Sequence, residues 1–198
     1  MEQPFHTVPA PADPAAARPG GVPGALIAFA DAVDQAVALL CRGVLLLVGS
    51  ALMGVLTANV IARYVLATGG FDWAEEVPQQ LFPWFIMAGV AIAVQRGGHI
   101  AVEWLLGRLD RGAKRWVLLA GHALVVAAYL GLCRQALEVA GIVAIERSPA
   151  LGLPGSYGYW AIAAGCALVA IGTVTVAIRI AVLGPEAMPQ PVPEEMPT

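Results

Sequence analysis

Four long runs without a charged residue constrain this chain more than any other feature. They cover residues 43–61, 77–95, 116–133 and 148–178. Each run provides the roughly 18 to 20 residues that a helix needs to cross a hydrocarbon core about 30 Å thick. Because 59% of the 198 residues are hydrophobic and only 13% are charged, one soluble core could not bury them. The sequence therefore predicts an all-α integral membrane protein with four transmembrane helices.

The composition of the two ends sets the predicted domain boundaries. Most of the 15 prolines lie near the termini, among Ala, Gly and acidic residues that bury little apolar surface. We expect residues 1–36 to be a disordered or partly helical cytoplasmic tail and residues 184–198 to be a disordered cytoplasmic tail. Residues 37–183 are predicted to form the transmembrane domain, with spans at about 42–65, 75–96, 114–138 and 156–181.

The distribution of Lys and Arg predicts the orientation. The connection 96–115 is rich in basic residues, whereas the connection 67–76 has none and carries Asp72, Glu75 and Glu76. The positive-inside rule then places 96–115 and both termini in the cytoplasm, so we expect residues 69–76 to lie at the outer, periplasmic surface. No basic stripe suited to nucleic acid is present.

Residues of about 100–110 are predicted to form an amphipathic helix in the inner interface between the second and third spans. Glu103 and Asp110 fall on its polar face, with Trp104 near the boundary between the faces. Two functions remain open for this helix. It either fixes the angle between the spans or docks a partner, or it simply binds membrane lipid.

Small residues recur at helical spacing in several spans. The first span carries Ser50, Gly54 and Ala58, and the fourth carries Gly158, Gly165 and Gly172. Such stripes let helix backbones approach closely in lipid. Packing inside the four-helix unit is the simpler interpretation, and contact with a partner protein is the alternative.

The candidates for chemistry favour a non-enzymatic protein. Glu75 and Glu76 lie where a helix N-terminus favours carboxylates, and no predicted span carries an acid at mid-membrane depth, which an ion-driven carrier needs. His99 and His122 lie at different depths, which disfavours haem ligation, and the three cysteines are isolated. No cofactor or metal is expected. A free-standing small carrier and a membrane redox subunit remain as alternatives.

An ordered set of residues around the second span gives a more specific indication. An Arg-Tyr pair ends the first span, Trp-x-Glu-Glu precedes the second, and Arg-x-x-His-Ile-x-Val-acid closes it. These are Arg63, Tyr64, Trp73, Glu75, Glu76, Gly89, Arg96, His99, Ile100, Val102 and Glu103. Together with SPALGLPGSYGYW before the fourth span, they resemble the small membrane subunit of tripartite ATP-independent periplasmic (TRAP) transporters, the DctQ-like family, over about residues 40–180.

The resemblance implies a scaffold role. In such transporters a periplasmic substrate-binding protein delivers a solute, often a carboxylate, to a large sodium-coupled permease subunit. The small subunit packs beside the large one and contributes to docking of the binding protein. The resemblance then assigns Arg63, Trp73, Glu75 and Glu76 to an outer partner surface. Arg96, His99, Glu103 and Trp104 would form an inner corner.

Overall fold

The computed structural model describes residues 21–65, 69–96 and 109–185. Its elements are α1 (Val22–Tyr64), a short 3-10 turn (Asp72–Glu75), α2 (Glu76–Arg96), α3 (Arg111–Val143) and α4 (Ser156–Leu183). Within these ranges there is no strand, and the only β-type pairing is an isolated bridge between Arg147 and Pro154. All four α-helices are long and apolar enough to cross a membrane, which confirms the all-α class and the four spans.

The helices extend beyond most of the predicted spans. The largest difference is at α1, which begins at Val22, inside the segment 1–36 that the composition indicates as a tail. Pro23 lies in its first turn, where proline is tolerated, and residues 24–41 are mostly Ala, Leu and Val. The interfacial helix at 100–110 lies largely outside the described residues.

α4 is the central helix of the described fold. It packs against each of the other three helices, α1 also packs against α2, and α3 packs chiefly against α4. The main core cluster joins α1, α2 and α4 through Val37, Cys41, Ala88, Ala91 and Val169. A second cluster, formed by Leu118, Val176 and Ile180, joins α3 to the C-terminal half of α4.

The glycine stripe of α4 forms the contact with α2. Gly158, Gly165 and Gly172 lie opposite Pro83, Met87 and Gln95 in turn. At Gly165 the approach is closest, because an added Cβ would lie 2.5 Å from the Cβ of Met87. That distance leaves no room for any side chain unless the two helices move apart.

The corresponding stripe of α1 has no such neighbour. Ser50, Gly54 and Ala58 are exposed, and a Cβ added at Gly54 would meet no atom within 4 Å. A similar small-residue stripe on α3, formed by Ala123, Ala127 and Gly131, is likewise exposed, and a Cβ added at Gly131 would meet no described atom within 4 Å. The chain therefore uses the α4 stripe for its own packing and leaves those of α1 and α3 on its outer surface.

We expect Gly165→Ala to destabilise the protein, although alanine is the better helix former by about 1 kcal/mol. The new methyl group would overlap Met87, and overpacking of this kind costs about 1 to 3 kcal/mol. The matched control is Gly131→Ala, which adds the same group in open space. Thermal unfolding in detergent should show a lower Tm for Gly165→Ala than for Gly131→Ala, and equal values would contradict the close contact.

Candidate functional site

The turn between α1 and α2 forms one corner of the molecule, which we call the outer corner after the predicted orientation. Gly69 and Gly70 both have φ of 86°, a conformation that glycine adopts without strain. The backbone N–H of Phe71 donates to Asn59 Oδ1 of α1 at 2.8 Å. A Cβ on Gly70 would lie 2.9 Å from the same oxygen. The Asn59 side chain thus fixes the turn against the end of α1.

Arg63 and Glu75 come together across this turn. Arg63 Nη2 lies 3.8 Å from Glu75 Oε1, and the two side chains are 52% and 71% exposed. Ion pairs this exposed contribute little to stability. The contact therefore leaves both charges accessible to another molecule.

Glu76 has a different environment from Glu75. Its carboxylate accepts two backbone hydrogen bonds from the loop between α3 and α4: Oε1 from the N–H of Ala150 and Oε2 from the N–H of Leu151, each at 2.8 Å. A carboxylate that accepts from two amides forms short, charge-assisted bonds. The first residue of α2 is thereby joined to a loop about 75 residues away in sequence.

The loop that Glu76 holds is itself well hydrogen-bonded. The N–H of Ser148 donates to the carbonyl of Leu153 at 2.9 Å, and the N–H of Gly152 donates to the carbonyl of Ser148 at 3.0 Å. Gly152 has φ of +64°, which suits the tight turn. Arg147 Nη1 also donates to the carbonyl of Gly152 at 3.2 Å. The loop therefore presents a defined surface next to the α2 N-terminus.

Exposed aromatic rings surround the outer corner. Phe71 and Trp73 stack with ring centroids 5.5 Å apart, and both are partly exposed. Tyr157 and Trp160, in the first turns of α4, are exposed as well. Exposed aromatic side chains near the ends of membrane-length helices are typical of the membrane–water interface and of protein contacts.

The predicted inner corner is described only in part. Arg96 ends α2, whereas His99, Glu103 and Trp104 lie outside the described residues. His122 Nδ1 lies 2.7 Å from the carbonyl of Leu118, one turn earlier on the same helix. Within the described ranges, no group of three or more His, Cys, Asp or Glu side chains is placed to hold a metal ion.

The end of the described fold opposite the outer corner contains a polar cluster that the sequence did not reveal, and we call it the inner clamp after the predicted orientation. It consists of Asp31 and Asp34 of α1, Arg179 and Thr175 of α4, and Gln95 of α2. Arg179 pairs with both acids, and its Nη2 lies 3.0 Å from Asp31 Oδ1. Thr175 Oγ1 lies 2.6 Å from Asp34 Oδ1, and Gln95 Nε2 donates to the Asp34 carbonyl at 3.3 Å. Three helices are thus joined at one point.

A sequence signal for the inner clamp did exist. Asp31 and Asp34 are three residues apart, so a helix places them on one face. Arg179 directly follows the last uncharged run. Residues 1–36 were predicted to be a disordered or partly helical tail outside the transmembrane domain. The two acids were therefore not placed on a transmembrane helix beside this arginine.

Arg179→Gln should unfold more easily than the native chain, because it leaves Asp34 with 17% exposure and no counter-ion. Removing one partner of a largely buried pair costs about 3 kcal/mol. Arg134→Gln is the control, since Arg134 pairs with Glu138 at 81% exposure and should change stability by less than about 0.5 kcal/mol. Equal unfolding free energies for the two variants, measured by denaturant titration in detergent, would show that the clamp contributes nothing.

These features define a class of protein: a multi-pass membrane protein whose polar contacts join helices and loops. The family follows from a sequence comparison, in which the family model described as "Tripartite ATP-independent periplasmic transporters, DctQ component" matches residues 52–182. The chain belongs to this family. It is therefore a component of a transporter, and the family is not one of enzymes.

A relative found among curated proteins is much longer than this chain. It is described as "Uncharacterized protein y4mM" of Sinorhizobium fredii (strain NBRC 101917 / NGR234), and it is 47% identical over 150 residues. The matched region covers 76% of this chain but only 28% of the relative. In that protein, most of the polypeptide lies outside the region that resembles this chain.

Proposed function

We propose that this chain is the small scaffold subunit of a TRAP transporter in the bacterial inner membrane. It packs against the large sodium-coupled permease subunit and helps to dock a periplasmic substrate-binding protein. The solute taken up is small and bears a carboxylate. The family match over residues 52–182 is the observation that carries this proposal.

The surface of α1 supports packing against a large subunit. Its stripe of Ser50, Gly54 and Ala58 has the spacing that favours close helix contact, yet none of the described helices packs against it. The relative in which this region is part of a longer polypeptide also supports a role alongside further protein. We propose that α1 presents this stripe to the large subunit.

Gly54→Leu should therefore reduce the amount of large subunit that co-purifies with the tagged chain. The leucine side chain would hold the partner helix away from the α1 backbone. Gly131→Leu on α3 places the same side chain in similarly open space and should leave co-purification unchanged. If the α3 variant lost the partner and the α1 variant kept it, the contact would not lie on α1.

The outer corner supports docking of a periplasmic protein. Glu76 holds the loop between α3 and α4, while Arg63 and Glu75 remain exposed beside it. A surface fixed in advance loses less conformational freedom when a partner binds. On the cytoplasmic side we propose that Arg96, His99 and Glu103 form a matching corner, with Trp104 in the interface.

Glu76→Gln should loosen the loop and lower uptake by the assembled transporter. Its side-chain amide would turn an NH2 group toward one of the two N–H donors, so amide exchange at Ala150 and Leu151 should accelerate several-fold. Glu75→Gln is the matched control, because it removes only an exposed contact and should leave exchange at both amides unchanged. Uptake and assembly that are unchanged in both variants would reject a structural role for this pair.

A further inference from the structure

Arg42 differs from the other arginines whose side chains are described. Arg63, Arg115, Arg134, Arg147 and Arg179 each contact a carboxylate or a backbone carbonyl. Arg42 is exposed on α1 and has no hydrogen bond or ion pair to any described residue. It directly follows Cys41, which is buried in the main core cluster. A charge at this position needs a polar environment that the described residues do not supply.

Contacts between α1 and α4 give the position of Arg42 along the α4 axis, which we call its height. The Asp34 carboxylate contacts Thr175, and Asp31 contacts Arg179, so the two helices run antiparallel. Arg42 is about eight residues beyond Asp34, which is about 12 Å along the helix. It therefore lies beside about residue 167 of α4, near the middle of that helix.

The same comparison shows that the uncharged run of α3 lies at a different height from that of α1. Arg115 contacts the carbonyl of Ala181, and Cys133 Sγ lies 3.4 Å from the carbonyl of Ala163. The uncharged run of α3 between Arg115 and Arg134 therefore lies beside residues of about 162–181 of α4. On α1, the run between Arg42 and Arg63 corresponds to positions of about 146–167, when the axis of α4 is extended beyond its first residue, Ser156.

The uncharged run of α2 lies at a height between those of the α1 and α3 runs. Pro83 lies beside Gly158 and Gln95 beside Gly172, so its uncharged run between Glu76 and Arg96 corresponds to positions of about 152–173 on the extended axis of α4. All three runs are about 20 residues, or about 30 Å, long. From α1 through α2 to α3, the runs shift in one direction along the α4 axis by a total of about 14 to 16 residues, or about 21 to 24 Å.

From this stagger we infer that the bilayer meets the subunit along an inclined belt, bounded by Arg42 and Arg115 on one side and by Arg63 and Arg134 on the other. A bilayer centred upright on α4 would enclose Arg42 and the exposed Arg134–Glu138 pair in hydrocarbon, where charges are costly. The inclined belt places them at headgroup depth, where lipid phosphate oxygens can accept from Arg42. This inference requires membrane insertion but does not depend on the proposed partners.

The inclination is large. α1 and α3 pack on α4, and packed helix axes are about 8 to 10 Å apart, so α1 and α3 are separated by at most about 20 Å. An offset of about 21 to 24 Å across that distance corresponds to an angle on the order of 45°. The belt is then thinner along its normal, and the long arginine side chains extend outward to reach the headgroups.

Two pairs of exposed positions distinguish an inclined belt from an upright one. Leu39 of α1 and Leu124 of α3 lie at nearly equal heights along α4, and so do Met53 of α1 and Ile142 of α3. An upright bilayer gives the members of each pair equal depth. An inclined belt puts Leu124 and Met53 near the hydrocarbon centre, and Leu39 and Ile142 at or beyond its edges.

The test is to measure depth with nitroxide labels at these four positions. Single cysteines are introduced in a Cys133→Ala background, since Cys41 and Cys166 are buried, and the unsubstituted background checks that neither buried thiol is labelled. The full chain is reconstituted in lipid nanodiscs, and depth is taken from the relative accessibility to oxygen and to a nickel chelate. We expect Leu124 to be deeper than Leu39, and Met53 deeper than Ile142, by about 10 Å each. Equal depths within both pairs, or differences of the opposite sign, would overturn the inclined belt.

Discussion

The close contact between α2 and α4 is the interaction on which the rest of the structure depends. Lipid provides no hydrophobic drive between helices, so these two approach through backbone-to-side-chain packing that a glycine at position 165 permits. With α2 and α4 in place, α1 packs against both and α3 packs along α4. Polar contacts then fasten the ends: Glu76 holds the outer loop, and Arg179 joins the acids of α1 to α4. A change at the helix contact would displace both.

In this arrangement the four helices bury their inward-facing surfaces against one another. Their remaining surfaces have no neighbour in the described chain. The small-residue stripes of α1 and α3 face outward, and exposed charges and aromatic rings surround the outer corner. A component of a multi-subunit transporter needs such surfaces more than it needs a cavity of its own. Membership of the DctQ family and the outward stripes thus support one interpretation: the chain contributes shape and contact area to an assembly.

The sequence predicted those features that depend on composition along the chain. Uncharged runs gave the four spans, and the ordered motif around Glu75 and Glu76 gave the family, which the comparison confirmed. It could not tell which small-residue stripe has a neighbour, because Gly54 and Gly165 follow the same kind of spacing and differ only in what lies opposite. Nor could it separate the roles of the two glutamates, because the amides that Glu76 binds are about 75 residues away. The inner clamp was missed because its acids fall in an Ala-rich and Pro-rich region typical of a tail.

The central claim is that this chain supplies structure to a transporter and has no solute route of its own. The most direct measurement is solute flux into sealed proteoliposomes, using a radiolabelled solute that raises the Tm of the binding protein and an imposed sodium gradient. Vesicles with the small subunit, the large subunit and the binding protein should accumulate the solute. Vesicles with this chain alone should match empty liposomes. Accumulation by this chain alone would contradict the account.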